Sequence, residues 1–282
     1  MSALRFVVAD VFTDVPLTGN QLAVFTDGRG VETDVMQALA LETGFSETVF
    51  VLPAEADGDA RIRIFTPRTE LPFAGHPTLG TAFVLGGPLQ RDALTLETGR
   101  GPVEVVLERD ESGRIVFGRM RQPVPAVEPF DDTEALLAAL GVAGSELPVE
   151  CYDNGVEHVF VCLPSEDAVA ALRPDMGALT RFGLTGVNCF AGAGAAWKTR
   201  MFSPLDGVGE DAATGSAAGP LACHLARHGR IEWGQEIVVT QGAEIGRPST
   251  LFARAEGEGG SIAAVEVGGS AVIVARGEFR LP

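Results

Sequence analysis

Apolar and polar residues alternate over short runs through most of the chain, the period-2 pattern of half-buried strands. The runs cover residues 4–12, 21–25, 48–52, 61–65, 93–97 and 103–107, then 158–163, 197–202, 236–240, 263–267 and 271–275. Amphipathic helical spacing occurs at 33–42, 133–140 and 166–173. Strands outnumber helices and often follow one another directly, which predicts an α+β fold and not a repeating βαβ sheet. Two further segments, GHPTLGTAFVLG (75–86) and TGSAAGPLACHLA (214–226), contain no Asp, Glu, Lys or Arg. Each follows a strand and a loop and has the length of a helix. A helix apolar on every side must be buried on every side, so two sheets, each wrapping one central helix, are expected.

The same two regions repeat a short pattern. RIFTP (63–67) is followed by an acidic loop containing Glu70 and then by AGHPTLG; RMFSP (200–204) is followed by Glu210 and Asp211 and then by TGSAAGP. Two halves built alike would give two equivalent helix starts. QPVPAVEP (122–129) reads as a proline-rich linker. It places one lobe at 1–122 together with about 268–282, and the second at 123–267.

Composition narrows the function. The 282 residues are 46% hydrophobic and 21% charged, ordinary for a globular chain. The formal charge is −17, and Lys198 is the only lysine. No basic tract exists, so neither nucleic acid nor an anionic membrane is an expected partner. The start, MSALRFVVADVF, is broken by Asp10 and makes a poor signal peptide. Residues 71–90 lack charge over a membrane-spanning length but hold three prolines and four glycines, so no membrane span is expected. Cys151, Cys162, Cys189 and Cys223 are widely spaced, as in a reduced, cytoplasmic protein. A dinucleotide fingerprint, a P-loop, HExxH and GxSxG are all missing. His224 and His228 stand four apart as a possible metal pair, but no third ligand lies nearby in sequence, and helix-end histidines are the simpler reading.

Three places carry candidate chemistry. In FAGHP, Gly75 permits close backbone approach and Pro77 suits a first helical turn, which puts His76 at a helix N-terminus. Unpaired N–H groups there favour an anion and a neutral imidazole; a plain polar cap is the alternative. In EDAATGS, Asp211 precedes the second buried helix, with Thr214, Gly215 and Ser216 at its start. Capping accounts for one or two of these residues, not for an acidic-then-glycine pattern matching the first half. In FSETVFV, Glu47 enters a strongly apolar strand. It is either an outward or strand-end charge, or a carboxyl tuned for proton abstraction.

TGNQLAVF (18–25), FSETVFV (45–51), RIFTPRTELPFAGHPTLGTA (63–82), EDAATGSAAGPLACHL (210–225) and TQGAEIGRPS (240–249) together resemble the phenazine-biosynthesis PhzF-like isomerase family. The resemblance runs in order over essentially the whole chain. It implies the diaminopimelate-epimerase-like fold: α+β, with two similar lobes, each a curved, mostly antiparallel sheet wrapped around a central buried helix, and the active site between them. It implies Glu47 as the proton-shuttling acid/base, His76 and Asp211 as assisting catalytic residues, and Asn20, Gly75, Gly215 and Ser216 as substrate-binding residues. It also implies a homodimer, a small-molecule carboxylate substrate, and neither cofactor nor metal. The type reaction isomerises trans-2,3-dihydro-3-hydroxyanthranilate, with Glu47 moving a proton from one ring carbon to another.

Related epimerases place a cysteine at each helix start, where this chain has Ala74 and Thr214. Many family members have proline after the aspartate, where this chain has Ala212. Two other readings stay open. One is an epimerase or racemase of an amino-acid-like substrate that uses Glu47 and Asp211 in place of cysteines. The other is a non-catalytic binding protein of the same fold.

Overall fold

The computed structural model describes residues 2–183 and 186–281. In chain order the elements are β1 (Ser2–Val11), β2 (Asn20–Phe25), α1 (Thr33–Thr43), β3 (Glu47–Leu52), β4 (Ala60–Phe65), β5 (Glu70–Leu71), α2 (Gly75–Leu89), β6 (Ala93–Thr98), β7 (Gly101–Arg109) and β8 (Ile115–Gln122). They continue with β9 (Ala126–Pro129), α3 (Thr133–Leu140), β10 (Glu150–Asp153), β11 (Glu157–Cys162), α4 (Glu166–Ala171), α5 (Met176–Leu179), β12 (Gly186–Ala193) and β13 (Ala196–Ser203). The last are β14 (Val208–Asp211), α6 (Gly215–Arg227), β15 (Ile237–Gln241), β16 (Ser249–Glu258), β17 (Ser261–Gly269) and β18 (Ala271–Leu281). Unit 1 holds the residues up to Arg121 together with those from Gly268 onward; unit 2 holds Gln122 to Val267.

In unit 1 the strands pair in the order β18, β1, β2, β3, β4, β6, β7, β8. The β2/β3 and β4/β6 pairs are parallel and the others antiparallel. Unit 2 repeats the first six of these seven pairings in order as β9, β10, β11, β12, β13, β15, β16, with β11/β12 and β13/β15 parallel. The short sequence repeat has a physical counterpart. Arg63 sets Nε and Nη2 on the two carboxylate oxygens of Glu70, at 2.7 and 2.6 Å. Arg200 does the same to Glu210 at 2.8 and 2.7 Å. Each guanidinium also lies over the phenylalanine two residues on, 5.1 Å from the ring centre of Phe65 and 5.0 Å from that of Phe202. A two-pronged Arg–carboxylate bond fixes direction as well as distance, and in both units it pins the loop that leads into the buried helix.

Those helices, α2 and α6, are buried around almost their whole circumference, as expected of charge-free segments. Glycines let them sit close to their sheets. A Cβ at Gly80 would fall 2.6 Å from Leu22 and 2.7 Å from Val11, and one at Gly219 would fall 2.4 Å from both Gln122 and Val265. Pro220, inside α6, has no N–H to give the Ser216 carbonyl; Asn154 Nδ2 supplies that bond at 2.8 Å. Smaller helices cover other parts of the strands. Under α1, Phe25 and Phe50 stack with ring centres 4.7 Å apart. In unit 2, Leu136, Val169 and Leu179, from α3, α4 and α5, pack with Val159, Val187 and Phe202 of the sheet.

Two local expectations are corrected. QPVPAVEP is not wholly a linker, because its second half is β9, paired with β10. As β9 is a short strand at one end of the pairing order, Pro129 fits there without costing a central ladder bond. Alternation also misses β12: its first six residues are all buried, so no polar face marks it. GAGAAW forms the β12–β13 hairpin, with Gly194 at φ +58°. Among the described residues no helix is long and apolar enough to cross a membrane.

Candidate active site

The seven residues singled out from sequence fall into two groups, one in each unit. In unit 1, Glu47 is the first residue of β3, and Gly75 and His76 open α2. Glu47 Oε2 lies 3.3 Å from His76 Nε2; the carboxyl side chain is 14% exposed and the imidazole 3%. Asn20, the first residue of β2, sits behind the ring with Nδ2 3.2 Å from His76 Nδ1. Ser46 Oγ donates to Asn20 Oδ1 at 2.8 Å. Gly19 fixes this start: its φ is +70°, and a Cβ there would lie 2.4 Å from Thr13 and 2.5 Å from the Val11 carbonyl oxygen. Ala74, the N-cap of α2, makes no side-chain cap bond with the first turn.

In unit 2, Asp211 ends β14, and Gly215 and Ser216 begin α6. Asp211 is 4% exposed. Its Oδ2 accepts a bond from Thr214 Oγ1 at 2.7 Å. Gln241, at the end of β15, holds the loop between them. Its Nε2 donates to the Asp211 carbonyl at 2.8 Å and to Thr214 Oγ1 at 2.9 Å, and its Oε1 accepts from Thr214 N at 3.1 Å. The next residue, Gly242, has φ +81°, and a Cβ there would strike the carbonyl oxygens of Arg247 and Ala212. Ser216 Oγ lies 2.9 Å from Nε2 of a buried histidine, His158. Sequence reasoning missed Ser46, His158 and Gln241. The readable signal was a polar side chain inside an otherwise apolar strand, such as His158 ahead of Val159–Cys162, which demands a buried partner.

Cysteine chemistry is absent from both helix starts. Burial pushes the thiols of Cys151 and Cys162 up to about 11 and those of Cys189 and Cys223 up to about 12, so they stay protonated and unreactive. His224 and His228 do meet a third potential ligand, Glu150 of β10, 74 residues from His224 and invisible to sequence spacing. Glu150 Oε2 receives His224 Nδ1 at 3.2 Å, His228 Nε2 at 2.9 Å, Arg227 Nη1 at 2.8 Å and Tyr152 OH at 3.0 Å. Burial alone would raise the Glu150 carboxyl, but those four donors outweigh it and hold the group well below the usual range. The Arg227 guanidinium therefore already supplies the cation of this cluster, which is a closed ion-pair knot.

Two units of one pairing scheme, each with a buried helix opened by glycine, and one with a carboxyl beside the helix-start histidine, define the class: a two-lobed enzyme of the diaminopimelate-epimerase-like fold. A family model described as "Phenazine biosynthesis-like protein" matches residues 9–277. The chain is 55% identical over 277 residues to the trans-2,3-dihydro-3-hydroxyanthranilate isomerase of Pseudomonas aeruginosa, covering 98% of this chain and 99% of that one. A solved PhzF-family phenazine biosynthesis protein of Bacillus anthracis aligns with TM-score 0.85 at 26% identity, covering 100% of both chains. A hydroxyproline epimerase of Agrobacterium vitis shares the fold at TM-score 0.68 and 12% identity, over 98% of this chain and 92% of that one. The chain belongs to the phenazine biosynthesis-like family and is an isomerase.

Proposed function

We propose that the chain isomerises a small cyclic carboxylate by proton transfer through Glu47, with trans-2,3-dihydro-3-hydroxyanthranilate as the first substrate to try. The observation that carries this reading is the 3.3 Å approach of Glu47 Oε2 to His76 Nε2 at the start of a buried helix. A sheltered carboxylate beside an N–H donor is suited to take a proton from carbon, keep it from solvent and return it to another carbon. Isomerisation conserves atoms and electrons, so the step needs no co-reactant. His76 and Asp211 assist the transfer. Gly75, Gly215 and Ser216 offer hydrogen-bond donors to the substrate carboxylate, and Asn20 orients His76.

The test is turnover in deuterated water followed by NMR. Wild type is expected to form the isomerised ketone, and Glu47→Gln to form it at least about 100-fold more slowly. Turnover in Glu47→Gln within about tenfold of wild type would remove Glu47 from the role; no reaction by wild type would remove this substrate. The epimerase alternative predicts instead exchange of one proton with loss of optical activity and no bond shift.

A further inference from the structure

We infer that His158 is a positioning residue that fixes the Ser216 hydroxyl as a hydrogen-bond donor toward an acceptor ligand, through the arrangement Asn188–His158–Ser216. The inference rests on the proposed substrate-binding role of Ser216. Its physical basis lies in the groups around the imidazole. Asn188, on β12, points Nδ2 at the Gly186 carbonyl (3.1 Å), the Val159 carbonyl (3.5 Å) and His158 Nδ1 (3.3 Å). Carbonyl oxygens only accept. Turning the amide over would set Oδ1 against two of them, so the NH2 group faces this side. His158 Nδ1 is therefore an acceptor.

The ring is fully buried and stays neutral, with burial pushing it down to about 3 against a small opposing pull from Asp153. A neutral imidazole carries one N–H, which must then be on Nε2, 2.9 Å from Ser216 Oγ. The bond runs from His158 to Ser216, so the serine oxygen accepts and its own proton is turned elsewhere. In the first turn of α6 the Ala217 N–H already meets the Thr214 carbonyl at 3.0 Å, so the hydroxyl proton adds to the backbone N–H groups of Gly215 and Ser216 at the helix start. These N–H and O–H groups are donors, which favour an acceptor such as a carboxylate. The site is built for the ring. His158 pairs with Gly186 in the parallel β11/β12 register, and a Cβ at Gly186 would lie 2.7 Å from His158 Nδ1. At the same serine, Asn154 holds the Ser216 carbonyl, which α6 leaves open at Pro220.

Long-range 1H–15N NMR of the full-length protein labelled at histidine reads the tautomer without any substrate. A neutral Nε2–H ring for His158 at pH 7 is expected; an Nδ1–H ring or an imidazolium overturns the inference. Kinetics with trans-2,3-dihydro-3-hydroxyanthranilate supply the second measurement. His158→Phe, which removes the donor, should raise KM about tenfold while kcat changes less than about threefold. His158→Gln, which keeps an N–H at this distance, should recover most of that loss. An unchanged KM in His158→Phe overturns the inference, as does an equal KM defect in both variants. No turnover by wild type would instead overturn the substrate reading above, and the tautomer would still decide this one.

Discussion

Glu47 and Gln241 are two kinds of sheltered polar side chain, the first proposed to react and the second bonded so as to hold its loop. Glu47→Gln keeps the shape of the side chain next to His76 and removes its ability to accept a proton. Loss of a general base costs about 10²- to 10⁴-fold, so kcat should fall by that factor with KM within a few-fold of wild type; steady-state kinetics retaining a tenth of wild-type kcat would contradict the role. Gln241→Ala acts differently. It strands the Thr214 N–H and the Asp211 carbonyl, both now bonded to the Gln241 amide, and a buried group left unpaired costs roughly 1–3 kcal/mol. Urea denaturation should register about 2 kcal/mol or more, together with a fall in kcat of at least about tenfold as the Asp211 loop loosens; unchanged stability would mean that water replaces the amide. Glu47, His76 and Asp211 were legible as candidates because each is a polar residue set against an apolar strand or a glycine-opened helix. Gln241 and His158 were not, because their partners lie 27 and 58 residues away in the chain. Only the folded sheet brings them together.

At the scale of the element, absence of charge was the informative signal. Both segments lacking Asp, Glu, Lys and Arg are the buried helices α2 and α6, and the structure adds why they are also glycine-rich. Gly80 and Gly87 occupy the same helix in opposite circumstances. A Cβ at Gly80 would meet Leu22 and Val11 well inside contact distance, whereas nothing lies within 4 Å of one at Gly87. Gly80→Ala should therefore destabilise by about 1–3 kcal/mol through overpacking. Gly87→Ala should be neutral or stabilise by about 0.5–1 kcal/mol through helix propensity. Urea midpoints of the two variants decide it, and equal values would show that Leu22 and Val11 yield freely. The strands were less legible than these helices. Strands with one wet face, such as β7, alternate cleanly, but β12 shows no such pattern and β9 hides in a proline-rich stretch.

Across the molecule, the repeated Arg–Glu forks and the repeated pairing order give each unit the same frame, while the titratable residues inside the frames differ. Unit 2 carries two buried histidines, His158 and His224, both depressed first of all by burial. The consequence for stability has a definite sign. The unfolded chain takes a proton on His158 near pH 6.5, whereas the native ring refuses it until about pH 3. Between those values the unfolded state binds more protons, so stability falls as pH falls, by up to about 1.4 kcal/mol per pH unit for one group. Glu150 adds a loss of its own only below about pH 4.5, because its native carboxyl is held down by its donors. Urea unfolding of wild type and His158→Phe at intervals from pH 7 to pH 4.5 isolates the first effect. The variant has a different stability at every pH, but His224 and the surface carboxylates are common to both proteins, so the difference in slope belongs to His158. Wild type should lose stability more steeply than the variant throughout that window. Parallel curves would mean that the native ring takes up a proton as readily as the unfolded one, which a buried ring boxed between Asn188 and Ser216 cannot do at low cost, because burial outweighs the pull of Asp153.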